Sequence, residues 1–142
     1  MSSYLMKCSP DLDLYVMWSS IVDNAVWVGS RAEALHLPEF DEERLVRTDK
    51  TGTSTLRGVR GYPLAGSWDN PTILVRETVR QDEGVYAYTL RRTDLAAYAE
   101  TLDVDDVEAE ALLTPVRFCS VCDTDRDIDP ATSLCPAHAN AR

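Results

Sequence analysis

Tyr4-Leu5-Met6-Lys7-Cys8, Leu14-Tyr15-Val16-Met17-Trp18 and Ala25-Val26-Trp27-Val28 are the stretches whose reading decides the fold. Each is short and rich in β-branched and aromatic residues, which suit a pleated, packed surface. Pro10-Asp11-Leu12-Asp13 separates the first two, and Asp23-Asn24 separates the second from the third. Proline presets φ and Asp or Asn side chains close turns on their own backbone, so the simplest arrangement is a three-stranded antiparallel meander. Further along, Ile73-Leu74-Val75-Arg76-Glu77-Thr78-Val79 and Val85-Tyr86-Ala87-Tyr88-Thr89-Leu90 flank Gln81-Asp82-Glu83-Gly84. That pattern predicts a hairpin. Whether meander and hairpin share one sheet is not written in either stretch.

Short helices fill the intervals. Ser30-Arg31-Ala32-Glu33 fits a capping box that opens a helix stopped by Pro38. A second helix is expected from Asp41 to about Arg47, and a third, capped by Thr93-Asp94, through Leu102. Val104 to Leu113 carries Val107, Ala111 and Leu112 at helical spacing and should end before Pro115. Thr48 to Asn70, punctuated by Gly52, Gly58, Gly61, Pro63 and Gly66, reads as a long loop. The expected fold class is α+β, with an antiparallel meander and hairpin packed with short helices over residues 1–114 and a small zinc-binding module over 115–142.

The chain has 142 residues, enough for one core and an appendage. Hydrophobic residues make up 44%, which supports a packed core rather than disorder. No apolar run is long enough to span a bilayer, and Met1-Ser2-Ser3-Tyr4 lacks the features of a signal peptide, so a cytoplasmic protein without a membrane partner is expected. The formal net charge is −10, and all but four of the 24 acids precede residue 115. Such a field repels nucleic acid and anionic lipid at long range, which leaves proteins, cations or a locally shielded basic patch, and the partner expected is a protein with a basic surface.

Leu14-Tyr15-Val16-Met17-Trp18-Ser19-Ser20-Ile21-Val22-Asp23, Gly29-Ser30-Arg31-Ala32-Glu33, Thr51-Gly52-Thr53-Ser54 and Leu112-Leu113-Thr114-Pro115 together resemble a pattern in small uncharacterised proteins of actinobacteria and their phages. The resemblance runs from Tyr4 to about Pro115. It implies a compact α/β fold and a phage origin, hence a host cytoplasm, and it brings no activity with it. Chains of that group end near the position of Pro115, so the cysteine-rich tail departs from the pattern.

In that tail, Cys119-Ser120-Val121-Cys122 and Cys135-Pro136-Ala137-His138 form C-x2-C and C-x2-H pairs with twelve residues between them. A two-residue gap lets the backbone turn so that both side chains converge, and two such turns supply the four ligands of a structural Zn2+. Cys119, Cys122, Cys135 and His138 are accordingly assigned to one zinc per chain. The tail has few large apolar groups, whereas ordering costs about 1–2 kcal/mol per residue and structural zinc supplies roughly 10–16 kcal/mol. Four protein ligands leave no open position for a catalytic water. A disordered tail or a redox C-x2-C pair is the blander alternative.

Other motifs fall short. Asp123, Asp125, Asp127 and Asp129 alternate between the zinc ligands, but a calcium loop starting at Asp123 would need Gly and Glu where Ile128 and Leu134 stand. A D-x-D catalytic pair would need a strand before it, where the C-x2-C pair stands instead. These aspartates are read as an acidic tip that contacts a protein partner. Lys50-Thr51-Gly52 has no S-x-x-K companion, and no phosphate-binding or dinucleotide glycine motif is present. His36, between Leu35 and Leu37, suits a surface or packing role, and Cys8 a small buried hydrophobe. Arg76 and Arg80 alternate with Thr78 on one hairpin strand while Tyr86 and Tyr88 alternate on the other. If the faces coincide, they could stack bases, with Arg91 and Arg92 extending the charge; otherwise the tyrosines enter the core and the arginines answer acids. Glu100, Asp103, Asp105, Asp106, Glu108 and Glu110 form an acidic run read as a solvated helix face or an arginine-binding surface. The expected function is a non-enzymatic, zinc-binding protein-interaction module that recruits or inhibits a partner; the alternative is a nucleic-acid-associated regulator using the Arg-Tyr face.

Overall fold

The computed structural model describes residues 3–58, 64–80, 84–102 and 104–118. Ser3–Lys7 (β1), Tyr15–Ser19 (β2) and Asn24–Gly29 (β3) form an antiparallel sheet in the order β1-β2-β3, the expected meander. Leu5 faces Met17 and Met17 faces Trp27; one residue along, Met6 faces Val16 and Val16 faces Val28. The first set, with Tyr15, packs against Ala34, Phe40 and Leu45. The second, with Trp18, packs against Ile73, Val75, Leu90, Leu95 and Tyr98. Both faces of this sheet are therefore covered, and β2 reads as a continuous apolar run because neither face is wet. Register slips where Met17 and Trp18 pair with Trp27 and Ala25, so Val26 is the extra residue of a β-bulge and points to solvent.

Arg31–Ala34 (α1) follows, with both bonds of the capping box present: Glu33 N–H donates to Ser30 Oγ at 3.2 Å, and Ser30 N–H to Glu33 Oε1 at 2.9 Å. Glu42–Thr51 (α2) is capped by Asp41, whose carboxylate accepts Arg44 N–H at 2.9 Å. This helix runs a turn beyond Arg47, into what reads as loop. Thr48 and Thr51 donate their hydroxyls back to Arg44 O and Arg47 O at 2.7 and 2.9 Å, and Thr48 is buried. Gly52 ends the helix in the left-handed region, φ 92, and its N–H donates to Thr48 O at 2.8 Å. A Cβ there would lie 2.8 Å from the Trp68 ring. The rest of the expected loop is not structureless: Ser54 N–H donates to Leu5 O and Lys7 N–H to Gly52 O, laying Thr53 beside β1.

Thr72–Arg80 (β4), Gly84–Arg91 (β5) and Leu113–Phe118 (β6) form a second, separate antiparallel sheet in the order β4-β5-β6. β4 and β5 are the predicted hairpin. Leu95–Thr101 (α3), entered through a 3-10 turn at Arg92–Asp94, and Asp106–Glu110 (α4) lie between β5 and β6. Two expectations fail here. The helix read over Val104 to Leu113 shrinks to five residues and gives way to β6, and Val107 lies in solvent rather than in a core. Pro115, taken as a helix stop, sits in the outer strand of the sheet, where its missing N–H costs no ladder bond if it faces outward. The expected division at 114/115 consequently falls inside β6, and residues 115–118 belong to the second sheet.

Beside the apolar cluster they share, the two sheets are tied together at Asp23. Between Val75 and Thr78 the β4 register slips, and Arg76, at φ 54, leads a bulge. The N–H groups that the bulge frees from the ladder are taken by Asp23 in the β2–β3 turn: Arg76 N–H donates to its carbonyl at 2.9 Å and Glu77 N–H to Oδ2 at 2.7 Å. Trp18 Nε1 donates to Oδ1 at 3.3 Å. Burial still pushes the Asp23 carboxyl upward, against the pull of the bonds from Glu77 and Trp18. Tyr98 adds a second tie, its hydroxyl donating to Asn24 Oδ1 at 2.6 Å. No helix among the described residues is long and apolar enough to cross a membrane.

Candidate functional site

β6 delivers the chain to the metal-ligand pattern: its last residue, Phe118, is buried and pairs with Val85, and Cys119 is next. Cys119, Cys122, Cys135 and His138, and the aspartates Asp123, Asp125, Asp127 and Asp129, lie outside the described residues. Three thiols and one imidazole match the donor preference of Zn2+. Among the described residues no cluster of three or more His, Cys, Asp or Glu could hold a metal.

The Arg-Tyr face forms in part, with Arg76, Tyr86 and Tyr88 in place and Arg117 added from β6, while the Arg80 side chain lies outside the described residues. Tyr88 pairs with Val75 and Tyr86 with Thr78, which puts both rings on the side of the sheet that carries the core further along. They lie outside the core clusters, and Tyr88 is 37% exposed. Arg76 Cζ stands 5.1 Å over the Tyr88 ring and Arg117 Cζ 4.6 Å over the Tyr86 ring. Neither half of the expected alternative holds unmixed, because the tyrosines stay out of the core while Arg76 still pairs with Glu110. Each ring already has one face capped by an arginine of its own sheet, which removes a surface that an incoming base would need.

Arg91 and Arg92 do not extend that charge. Arg91 is exposed and pairs with Asp94, Nε to Oδ2 at 2.9 Å. Arg92 turns inward. Its Nη1 donates to the carbonyls of Gly66 and Ser67, the latter at 3.0 Å, and its Nη2 to those of Lys7 and Gly52 at 2.6 and 3.1 Å. The guanidinium stacks 4.5 Å from the Trp68 ring. Burial pushes Arg92 down to about 10, so it remains a cation at neutral pH. Cys8 lies beside it in a hollow also lined by Pro10, Leu12 and Trp68. Burial pushes the Cys8 thiol up to about 12, leaving it protonated and a poor nucleophile, as its placement in an apolar strand suggests. His36 is exposed and donates its backbone N–H to Glu33 O at 3.1 Å.

A charged network on the other side of β1 has no signal in the sequence. Asp49 accepts the Tyr15 hydroxyl on Oδ1 and Arg31 Nε on Oδ2 at 3.1 Å, and Lys7 Nζ is 3.7 Å away. Arg31 also reaches Glu42 at 2.8 Å. Burial raises the Asp49 carboxyl, but the bonds from Tyr15 and Arg31 and the charges of Lys7 and Arg31 outweigh it and hold the carboxyl below its ordinary range. A depressed carboxyl stabilises the fold above its unfolded value, roughly 3.9, and the contribution is lost as pH falls through the lower folded value. Asp49→Asn should therefore lower stability at neutral pH by only about 1 kcal/mol, since the network is partly solvated. Urea midpoints of the two proteins should converge in strong acid; a gap that persists there would assign the effect to packing.

The acidic run divides by role. Asp105 caps α4, accepting Val107 N–H and Glu108 N–H at 3.1 Å each, and Glu110 answers Arg76. Asp106 and Glu108 are exposed, as is Glu100 on α3. Between them stand Val104, 86% exposed, and Val107, 81% exposed. Comparison with family models, curated proteins and solved structures gives no match for this chain.

Proposed function

We propose that this chain is a non-enzymatic, zinc-bearing protein-interaction module whose partner presents a basic surface. The observation that carries the reading is the presentation of Val104 and Val107 to solvent within a run of exposed acids. An apolar centre rimmed by one sign of charge suits a protein contact: burying a valine contributes roughly 1.5–3 kcal/mol, and the rim selects the partner and speeds encounter. Three of the more buried titratable groups are committed to structure. Asp49 and Asp23 bridge elements, and Cys8 stays protonated. A tetrahedral Zn2+ on Cys119, Cys122, Cys135 and His138 would order the tail directly after β6 and display Asp123, Asp125, Asp127 and Asp129 as a second acidic tip. The phage origin and the host cytoplasm implied by the sequence resemblance suit such a recruiter or inhibitor.

Two measurements test this. Purified protein should carry one zinc per chain with sulfur and nitrogen ligation, and Cys122→Ala should lose it; a stoichiometry near zero in protein purified under reducing conditions refutes the metal assignment. A partner recovered from the native cell and then purified should bind Val104→Ser/Val107→Ser with roughly tenfold or lower affinity. Replacing the four tail aspartates with asparagine should slow association while zinc is retained. Unchanged affinity and rate in both variants would overturn the reading. If instead the protein binds single-stranded nucleic acid with steep salt dependence, lost in Arg76→Gln and Arg80→Gln, the regulator using the Arg-Tyr face is correct.

A further inference from the structure

One pocket gathers three arginines and no acid among its described lining residues. It lies where α2, the start of β1 and the segment after Gly52 meet, encloses about 360 Å³, and is lined by Arg44, Arg47 and Arg57 with Tyr4 and Leu56 among their neighbours. Arg44 and Arg47 are one helical turn apart on α2. Arg57 is brought to them by the strand-like run of residues 53–54 along β1, where Leu5 N–H donates to Ser54 Oγ at 2.9 Å and Ser54 N–H to Leu5 O at 2.9 Å. Arg47 Nη1 donates to Ser54 O at 2.8 Å and locks helix to segment.

Among the described residues the three cations are only weakly answered. Arg47 has Glu43 at 3.9 Å, a carboxylate that is 83% exposed. The Arg44 guanidinium donates to the Glu39 carbonyl, and that of Arg57 bonds to no described residue. Three guanidinium groups around one space, in a molecule whose overall charge is −10, concentrate positive potential where nothing in the lining cancels it. Planar guanidinium forks match the oxygens of a phosphate, and a pocket of this size holds a small molecule rather than a polymer. Tyr4 and Leu56 are also in the lining and add apolar surface beside the cations.

From this we infer a ligand site for a small organic phosphate, its phosphoryl group held by Arg44, Arg47 and Arg57 and its apolar or planar body lying against Tyr4 and Leu56. The site is independent of the acidic surfaces and of zinc. It lies on the face of the first sheet's edge, and none of its residues belongs to α4 or the tail.

Titration calorimetry of the full, zinc-loaded chain at fixed ionic strength tests it, with inorganic phosphate and phenyl phosphate as probes. Both should bind saturably, phenyl phosphate at least about tenfold tighter, and Arg57→Gln and Arg44→Gln should each weaken binding about tenfold. Arg57→Gln removes no bond to any described residue, so it should fold normally, as its melting curve will show. Arg91→Gln, an exposed arginine outside the pocket, is the control and should bind like the wild type. No saturation up to about 10 mM phenyl phosphate, or an equal loss in Arg91→Gln, overturns the site. Tight binding of an oligonucleotide with none of phenyl phosphate also overturns it, in favour of a polymer-binding surface.

Discussion

A chain ending after Thr114 is expected to unfold at much lower urea than one ending after Phe118. The four residues between them pair with Tyr88, Ala87, Tyr86 and Val85 on β5, so their loss strips β5 of most of its outer neighbour. Phe118 is buried against Ala87, and Arg117 caps the Tyr86 ring. Removing a buried phenylalanine alone costs about 3–5 kcal/mol, against a total stability of roughly 5–15 kcal/mol for a domain of this kind. The shorter chain should therefore lose cooperative unfolding of the second sheet, visible as a reduced urea slope and loss of near-ultraviolet dichroism. Equal midpoints for the two chains would show that β6 contributes little and that the division at 114/115 is real. Chelating the proposed zinc from the full chain should leave the two sheets folded, because the two apolar clusters around the first sheet use no residue beyond Leu113.

Arg92→Met is expected to cost about 3–5 kcal/mol, more than any other single arginine substitution in the described residues. Its guanidinium donates to carbonyls of Lys7, Gly52, Gly66 and Ser67, which come from three separate segments. Methionine fills the volume but leaves those carbonyls without their shared donor, and the stack on Trp68 goes with it. Arg92→Lys keeps the charge yet presents a point where a planar fork is needed, so it should recover only part of the loss. Arg91→Met, one residue away and paired on the surface, should fall within about 0.5 kcal/mol of the wild type. Hydrogen exchange should report the difference locally, with amides of Gly52, Ser54 and Trp68 losing protection first in Arg92→Met. If Arg92→Met and Arg91→Met melt together, the cage is not what joins these segments.

What was legible in the residues is what short-range chemistry writes. Turn residues at Pro10-Asp11 and Asp23-Asn24 set the meander, Ser30 and Glu33 set the start of α1, and the β4–β5 hairpin follows from alternation around a glycine-containing turn. The zinc proposal rests on the same kind of signal, since the ligands of each half-site are neighbours in the chain, but its residues lie outside the described ones. Tertiary structure decided the rest. Leu113–Phe118 becomes a strand because β5 offers a free edge and a place for Phe118, which outweighs the helical spacing of Val107, Ala111 and Leu112. Arg92 is a buried hub and Arg91 a surface pair, although both are arginines at the end of one strand, because the acceptors of Arg92 are backbone carbonyls up to 85 positions away. Arg44, Arg47 and Arg57 share a pocket only because Ser54 lies along β1. A main-chain carbonyl has the same chemistry at every residue, so no sequence pattern marks the ones that a distant side chain will find.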